Sequence, residues 1–186
     1  VLNNLSRLSP RVVTAKQGKE LLALARDSVK HYFKAGKPLA TEKFPEVRGV
    51  FVTITENGAL RGCIGYPLPV KALGESVCEM ACAAAFEDCR FPTLEEDELK
   101  GVKFEVSVLS VPEPVKGDAL KEVKVGRDGL IIEAHGRSGL LLPQVATEYD
   151  WNAEQFLEAL CDKASLPRGS WRNASLKKFQ AQIFSE

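Results

Sequence analysis

Apolar residues at Leu21, Leu22, Ala25, Val29, Tyr32 and Phe33 recur at the spacing of one helix face. Thr14 with Gln17 forms a capping-box pattern ahead of them, and Gly36 and Pro38 follow, so the spacing predicts a helix over 15–34. The pattern then changes to two β-rich runs, VRGVFVTITENGALRGCIGYP, on either side of Asn57 and Gly58. That pair favours a type I′ hairpin turn, whose two central residues both need positive φ. After Pro67, the positions Val70, Leu73, Val77, Met80, Ala81 and Ala84 return to helical spacing in a segment whose small residues permit close packing. Thr93 with Glu96 predicts a further short helical turn, and VKFEVSVLSV, 102–111, alternates as a strand does.

The stretch 112–117, PEPVKG, carries two prolines and a glycine, which are expected to deny it both helix and ladder, so it reads as a linker. Beyond it, DGLIIEAHGRSGLLLPQ reads as a second hairpin turning near Gly136 to Ser138. Asn152 and Gln155 cap a helix containing Phe156, Leu157, Leu160 and Cys161, and SLKKFQAQIF completes the chain as a strand. The order is hairpin, helix, strand, linker, hairpin, helix, strand. This predicts an α+β fold: duplicated hairpin-helix-strand units forming a curved, barrel-like, mainly antiparallel sheet flanked by helices. The expected organisation is a single domain over 1–186, with lobes at 40–111 and 118–186.

Composition narrows the function classes. Twenty-five basic residues balance twenty-five acidic ones, so the chain as a whole has no field to draw in nucleic acid or an anionic membrane. No apolar run reaches the length of a membrane span, and VLNNLSRLSP lacks the apolar core of a secretory signal, so a cytoplasmic protein is expected. Five cysteines without a Cys-x-x-Cys pair argue against a disulfide framework and against a zinc ribbon. No Walker, GxGxxG, HExxH or GxSxG string occurs. No cofactor or metal is assigned, and Cys78 and Cys82, four apart on a helix, read as core packing.

The chemistry concentrates in LRGCIG, 60–65. With Asn57 and Gly58 at the turn centre, simple register places Cys63 opposite Val52, Arg61 opposite Ile54 and Gly65 opposite Val50. Arginine, cysteine and a bare backbone position then share one face. A guanidinium beside a thiol promotes the thiolate, and the glycine leaves room for a ligand. Cys63 is thus a candidate nucleophile and Arg61 a candidate anion holder, with Leu60, Gly62, Ile64 and Gly65 around them; the bland reading makes Cys63 a small core residue. Arg61 between apolar neighbours needs a partner, and Glu105 and Asp88 are the internal candidates. Asp88 and Arg90 also read as a pair fixing the exit of the second helix. His31 and His135 read as solvated, and Arg168, Arg172, Lys177 and Lys178 around Trp171 as a charged edge strand.

LRGCIG, together with AAAFEDCRF, EVSVLS, GLLLPQV followed by EYDW, and LCDKASLP, resembles the AMMECR-type domain from about residue 14 onward. Cys89 departs from that family, which tends to have proline before the Arg-Phe pair, and this bears on the shape of the local loop. The resemblance implies a cytosolic or nuclear α+β domain of duplicated units around a barrel-like sheet. It also implies functional residues at 60–65 and an association with Memo-like and radical-SAM proteins in a shared modification pathway. The expected function is an enzyme or enzyme component with a pocket at the LRGCIG strand. Its rivals are a non-catalytic protein-binding or scaffold module and an RNA-binding accessory that uses the basic C-terminal segment.

Overall fold

The computed structural model describes residues 12–186; the reading of residues 1–10 as lacking a secretory signal lies outside the described residues. Two compact units divide the chain, one ending at Val108 and taking back Gln182–Glu186, the other Leu109–Ala181.

In the first unit, helix α1 spans Ala15–Ala35. Thr14 and Gln17 form the expected capping box, and Gly36 ends the helix at φ 67°. Strands β1, Val50–Glu56, and β2, Ala59–Tyr66, form the hairpin. Asn57 and Gly58 sit at φ 50° and 81°, the left-handed values that the turn demands of both. Helix α2 runs Leu73–Phe86, so Val70, expected on its face, precedes it and stands exposed. The single turn expected at Thr93 falls instead at Glu98–Lys100 as a 3₁₀ helix. Strand β3, Val102–Leu109, pairs antiparallel with β1, giving the order β2-β1-β3. Val50, Val52 and Ile54 of β1 are fully buried with Leu21, Ala25 and Val29 of α1 and with Val77 and Ala81 of α2. Both helices therefore lie on that side of the strands.

The second unit repeats the order. Strands β4, Glu113–Pro114, and β5, Asp128–Ala134, flank the short helix α3, Ala119–Glu122. Strand β6 is Arg137–Leu141, helices α4 and α5 are Pro143–Glu148 and Ala153–Lys163, and strand β7 is Ser175–Ser185, of which the residues up to Ala181 belong to this unit. The second hairpin turns on His135 and Gly136, at φ 52° and 72°, and Asn152 with Gln155 makes the expected capping box of α5. Leu130 and Ile132 of β5, Phe156, Leu157 and Leu160 of α5, and Trp171 form a core of their own.

Two expectations give way here. Within the segment taken for a ladder-free linker, Glu113 and Pro114 pair with Lys178 and Lys177 of β7, and the Val115 N–H donates to the Leu176 carbonyl. Proline is tolerated in a two-residue bridge because only its N–H is missing. For the same reason the basic C-terminal segment is no edge strand: Lys177 and Lys178 have β5 on one side and β4 on the other. The rest of the expected class is present, α+β with antiparallel pairing and flanking helices in each unit.

Candidate functional site

The LRGCIG strand carries one more residue than the simple hairpin register allows. Glu56 and Thr55 face Ala59 and Leu60 as expected, but Ile54 faces Gly62, Thr53 faces Cys63, Val52 faces Ile64 and Phe51 faces Gly65. Arg61 is the extra residue of a β-bulge, so the alternation that set it beside Cys63 on one face does not hold across it. The bulge corrects the opposition of Cys63 to Val52, of Arg61 to Ile54 and of Gly65 to Val50. Gly62 and Ile64 lie on the core side, and Cys63 and Gly65 on the other, with Thr53 and Phe51.

Arg61 finds its partners in the segment after α2. Its guanidinium donates to the carbonyls of Pro92 and Thr93 and, at 3.1 and 3.3 Å, to both carboxylate oxygens of Glu98. The Glu95 backbone N–H and Arg61 together hold Glu98 below the usual carboxylate range. The carboxylate that Arg61 needs is therefore Glu98, where Glu105 and Asp88 were the expected candidates, and both terminal nitrogens of the guanidinium are bound within the fold. Gly62 is a contact point. A Cβ there would lie 2.1 Å from the Ala84 carbonyl oxygen, so the end of α2 rests on the bare strand. Gly65 offers no hollow, because the Phe51 ring stands 2.4 Å from where its Cβ would be. Leu60 is exposed, and Ile64 packs against the core.

The second unit supplies the control. Ile132 faces Gly139 as Ile54 faces Gly62, and a Cβ on Gly139 would meet Ala164, just past α5, at 2.9 Å. Arg137 donates to the Ser165 carbonyl, again in the segment after the helix. An arginine and a glycine on the second strand of each hairpin thus dock the end of a later helix, α2 in the first unit and α5 in the second, and the second unit does so with no cysteine on the strand. Arg61 and Gly62 are accounted for by the fold; Cys63 is not.

Cys63 is half-buried and held from three directions. Its backbone N–H donates to Asp88 Oδ2 at 2.9 Å, and its carbonyl accepts from Arg90 at 3.1 Å. The two side chains replace a neighbouring strand at this edge of the sheet. Arg90 also binds Asp88 at 2.7 and 2.9 Å, and this pairing, helped by the Cys63 and Arg90 backbone N–H groups, holds the Asp88 carboxyl well below its ordinary range. The Asp88–Arg90 pair fixes the exit of α2 and the Cys63 backbone together. Thr53 Oγ1 donates to Cys63 Sγ at 3.2 Å. On its other side Thr53 faces Glu105, whose Oε2 accepts from Ser185 at 3.0 Å. Sequence reasoning missed this row, Cys63, Thr53, Glu105 and Ser185. The alternation of VKFEVS could have put Glu105 on the polar face, but only register relates it to Thr53.

The other chemistry-bearing residues are placed as follows. Cys78 and Cys82 are core residues; burial pushes the Cys78 thiol up to about 11 and raises that of Cys82. Among the described residues no group of three or more His, Cys, Asp and Glu is placed to hold a metal ion. The basic C-terminal residues each face carboxylates: Arg168 and Arg172 reach Glu158, Arg172 also Glu154, Lys177 Glu133, and Lys178 Glu122 and Glu113. Trp171 is buried and donates to Glu158 at 2.9 Å. Among the described residues no helix is long and apolar enough to cross a membrane.

Two units of antiparallel hairpin, helix and strand, each docked through an arginine and a glycine, define a duplicated α+β protein with one thiol-bearing strand. The chain belongs to the AMMECR1 family, whose model matches residues 22–184. It is 44% identical over 181 residues to a protein of Methanothermobacter thermautotrophicus, covering 91% of this chain and 94% of the relative. Protein Ta0236 of Thermoplasma acidophilum is 46% identical over 179 residues, covering 91% of this chain and 87% of the relative. The crystal structure of uncharacterized protein PH0010 from Pyrococcus horikoshii matches with a TM-score of 0.84 at 40% identity, covering 94% of this chain and 93% of that one.

Proposed function

We propose that the chain is an enzyme component of a modification pathway that works through Cys63, on the sheet face turned away from α1 and α2. The observation that carries this reading is the contrast between the hairpins. Arginine and glycine recur in both as docking residues, whereas the thiol, the Thr53 hydroxyl on its sulfur and the Asp88–Arg90 brace on its backbone belong to the first alone. A fixed backbone holds a reacting atom in place, which is what nucleophilic chemistry asks of its scaffold. Arg61 is a structural residue in this reading, bound to Glu98 and to the Pro92 and Thr93 carbonyls. The test is iodoacetamide alkylation at neutral pH in a Cys89→Ser background, read peptide by peptide. Cys63 is expected to react faster than a cysteine in a short unstructured peptide; slower reaction removes the thiol from the proposal.

A non-catalytic binding module is the second reading, favoured by the internal use of Arg61, Gly62 and Gly65. Its partner class, as the family resemblance implies, is Memo-like and radical-SAM proteins. Titration calorimetry against such a protein separates the two. Under this reading Cys63→Ser binds as the parent does, and Cys63→Leu, which adds bulk beside Thr53, does not bind.

A further inference from the structure

We infer that Cys63, Thr53 and Glu105 form a proton-relayed thiol site that accepts an uncharged acyl group, as an ester or thioester. This rests on the reading of Cys63 as the working thiol, and adds how the thiol loses its proton and what it takes up. Thr53 of β1 lies directly opposite Cys63 of β2 on one side and Glu105 of β3 on the other. Directly opposed residues project to one face with Cβ atoms about 4.5–5.5 Å apart. Thr53 Oγ1 is already 3.2 Å from Cys63 Sγ. A hydroxyl both donates and accepts, so turning its O–H toward Glu105 lets it receive the S–H. Ser185 donates to Glu105 Oε2 at 3.0 Å and so steadies the carboxylate at the far end of the row. Cys63, Thr53 and Glu105 are each half-exposed, as groups that meet a substrate must be.

The step balances. As the sulfur lone pair bonds to the acyl carbon, the S–H bond breaks and its proton passes to Thr53 Oγ1, whose own proton passes to Glu105. Collapse of the tetrahedral adduct breaks the bond to the alcohol or thiol, which leaves with the proton returned from Glu105. Cys63 is then a thioester, and water hydrolyses it to the carboxylic acid and the free thiol. The surrounding charges favour a neutral acyl group. Asp88 and Arg90 are bound to each other and to the Cys63 backbone, Arg61 is held by Glu98, and Lys103 lies one row away, opposite Thr55. The ionisable group in the Cys63 row itself is a carboxylate, which repels an anionic reacting group, while the Phe51 ring over Gly65 offers an apolar side for the acyl chain.

The experiment follows acylation of Cys63 by p-nitrophenyl acetate in the full chain carrying Cys89→Ser, between about pH 6 and pH 10. The relay predicts a rate nearly independent of pH below about pH 8, where an unassisted thiol would gain tenfold per pH unit. Glu105→Gln and Thr53→Val are expected to lower the neutral-pH rate about 100-fold and restore that tenfold rise, meeting the parent near pH 10. Thr53→Ser, which keeps the hydroxyl, is expected to keep the parent's profile. A parent rate that rises tenfold per unit, or variants that share the parent's profile, overturns the relay while leaving Cys63 as the working thiol. Loss in Thr53→Ser equal to that in Thr53→Val also overturns it, since packing would then account for both. Absence of acylation at Cys63 across the range overturns the relay and the thiol reading together.

Discussion

Replacing Gly62 by alanine tests the docking of α2 on the LRGCIG strand. The added methyl would lie 2.1 Å from the Ala84 carbonyl oxygen and 3.0 Å from its carbonyl carbon. Carbon and carbonyl oxygen approach to about 3.3 Å at best, so the two segments must part by about 1 Å. No side chain can swing aside to relieve this, because the obstacle is the backbone at the end of α2 and the strand is held to β1 along its length. Overpacking costs about 1–3 kcal/mol, and a clash of backbone on backbone belongs at the top of that range. For a domain of this size each kcal/mol lowers Tm by about 2–4 °C, so Gly62→Ala is expected to lose about 3 kcal/mol and about 6–12 °C. Gly101 is the control. Its Cβ would meet the Glu98 carbonyl oxygen at 3.5 Å and Glu56 Oε1 at 3.8 Å, both ordinary contacts, and its φ of −93° suits alanine, so Gly101→Ala is expected to stay within about 0.5 kcal/mol of the parent. Calorimetry with urea unfolding followed by far-ultraviolet circular dichroism reads both. A Gly62→Ala protein as stable as the parent, or a Gly101→Ala protein equally damaged, would refute the docking.

Further outcomes follow from the same contacts. Arg61→Lys is expected to cost about 2 kcal/mol in urea unfolding, because an ammonium cannot serve two carbonyls and Glu98 at once, and to leave Cys63 alkylation unchanged; undiminished stability would contradict the structural role. The Asp88 and Glu98 carboxyls are held below their unfolded range of about 4, so their contribution is complete above that pH and is lost as pH falls through the folded values. Stability is therefore expected to fall on acidification below about pH 5, less steeply in Asp88→Asn; an unchanged slope would show that Asp88 does not carry it. With Cys78 pushed up to about 11 and Cys82 raised by burial, neither is expected to react with Ellman's reagent at pH 8 until the protein unfolds, whereas exposed Cys89 reacts at once. Labelling of Cys78 or Cys82 in the folded chain would contradict their core placement.

Much of the architecture was legible because its signals are local. Thr14 with Gln17, Asn152 with Gln155, and Asn57 with Gly58 each state a backbone requirement within a few residues, and each element formed where that requirement placed it. The site was less legible because it depends on register and on distant partners. One inserted residue, Arg61, moved every pairing of the strand beyond it, from Gly62 onward, and the only hint in the sequence was a glycine inside a strand, Gly62, which often accompanies a bulge. Glu98 reaches Arg61 from 37 residues away, out of a 3₁₀ turn with no pattern of its own, so Glu105 looked the better partner. Glu105 instead faces Thr53, a relation that exists only once β1 lies between β2 and β3. The pairing of Glu113 and Pro114 with β7 was hidden for a similar reason: two prolines argue against a ladder, and a bridge of two residues has no periodicity to set against them.

The measurement closest to the centre of this account is the rate at which Cys63 is alkylated at neutral pH in the folded chain, resolved from the other cysteines by peptide mass. Cys63 is expected to outpace an unstructured cysteine, and Arg61→Lys is expected to leave this advantage intact. A Cys63 that reacts more slowly than an unstructured cysteine, or one whose advantage disappears with Arg61, would contradict it.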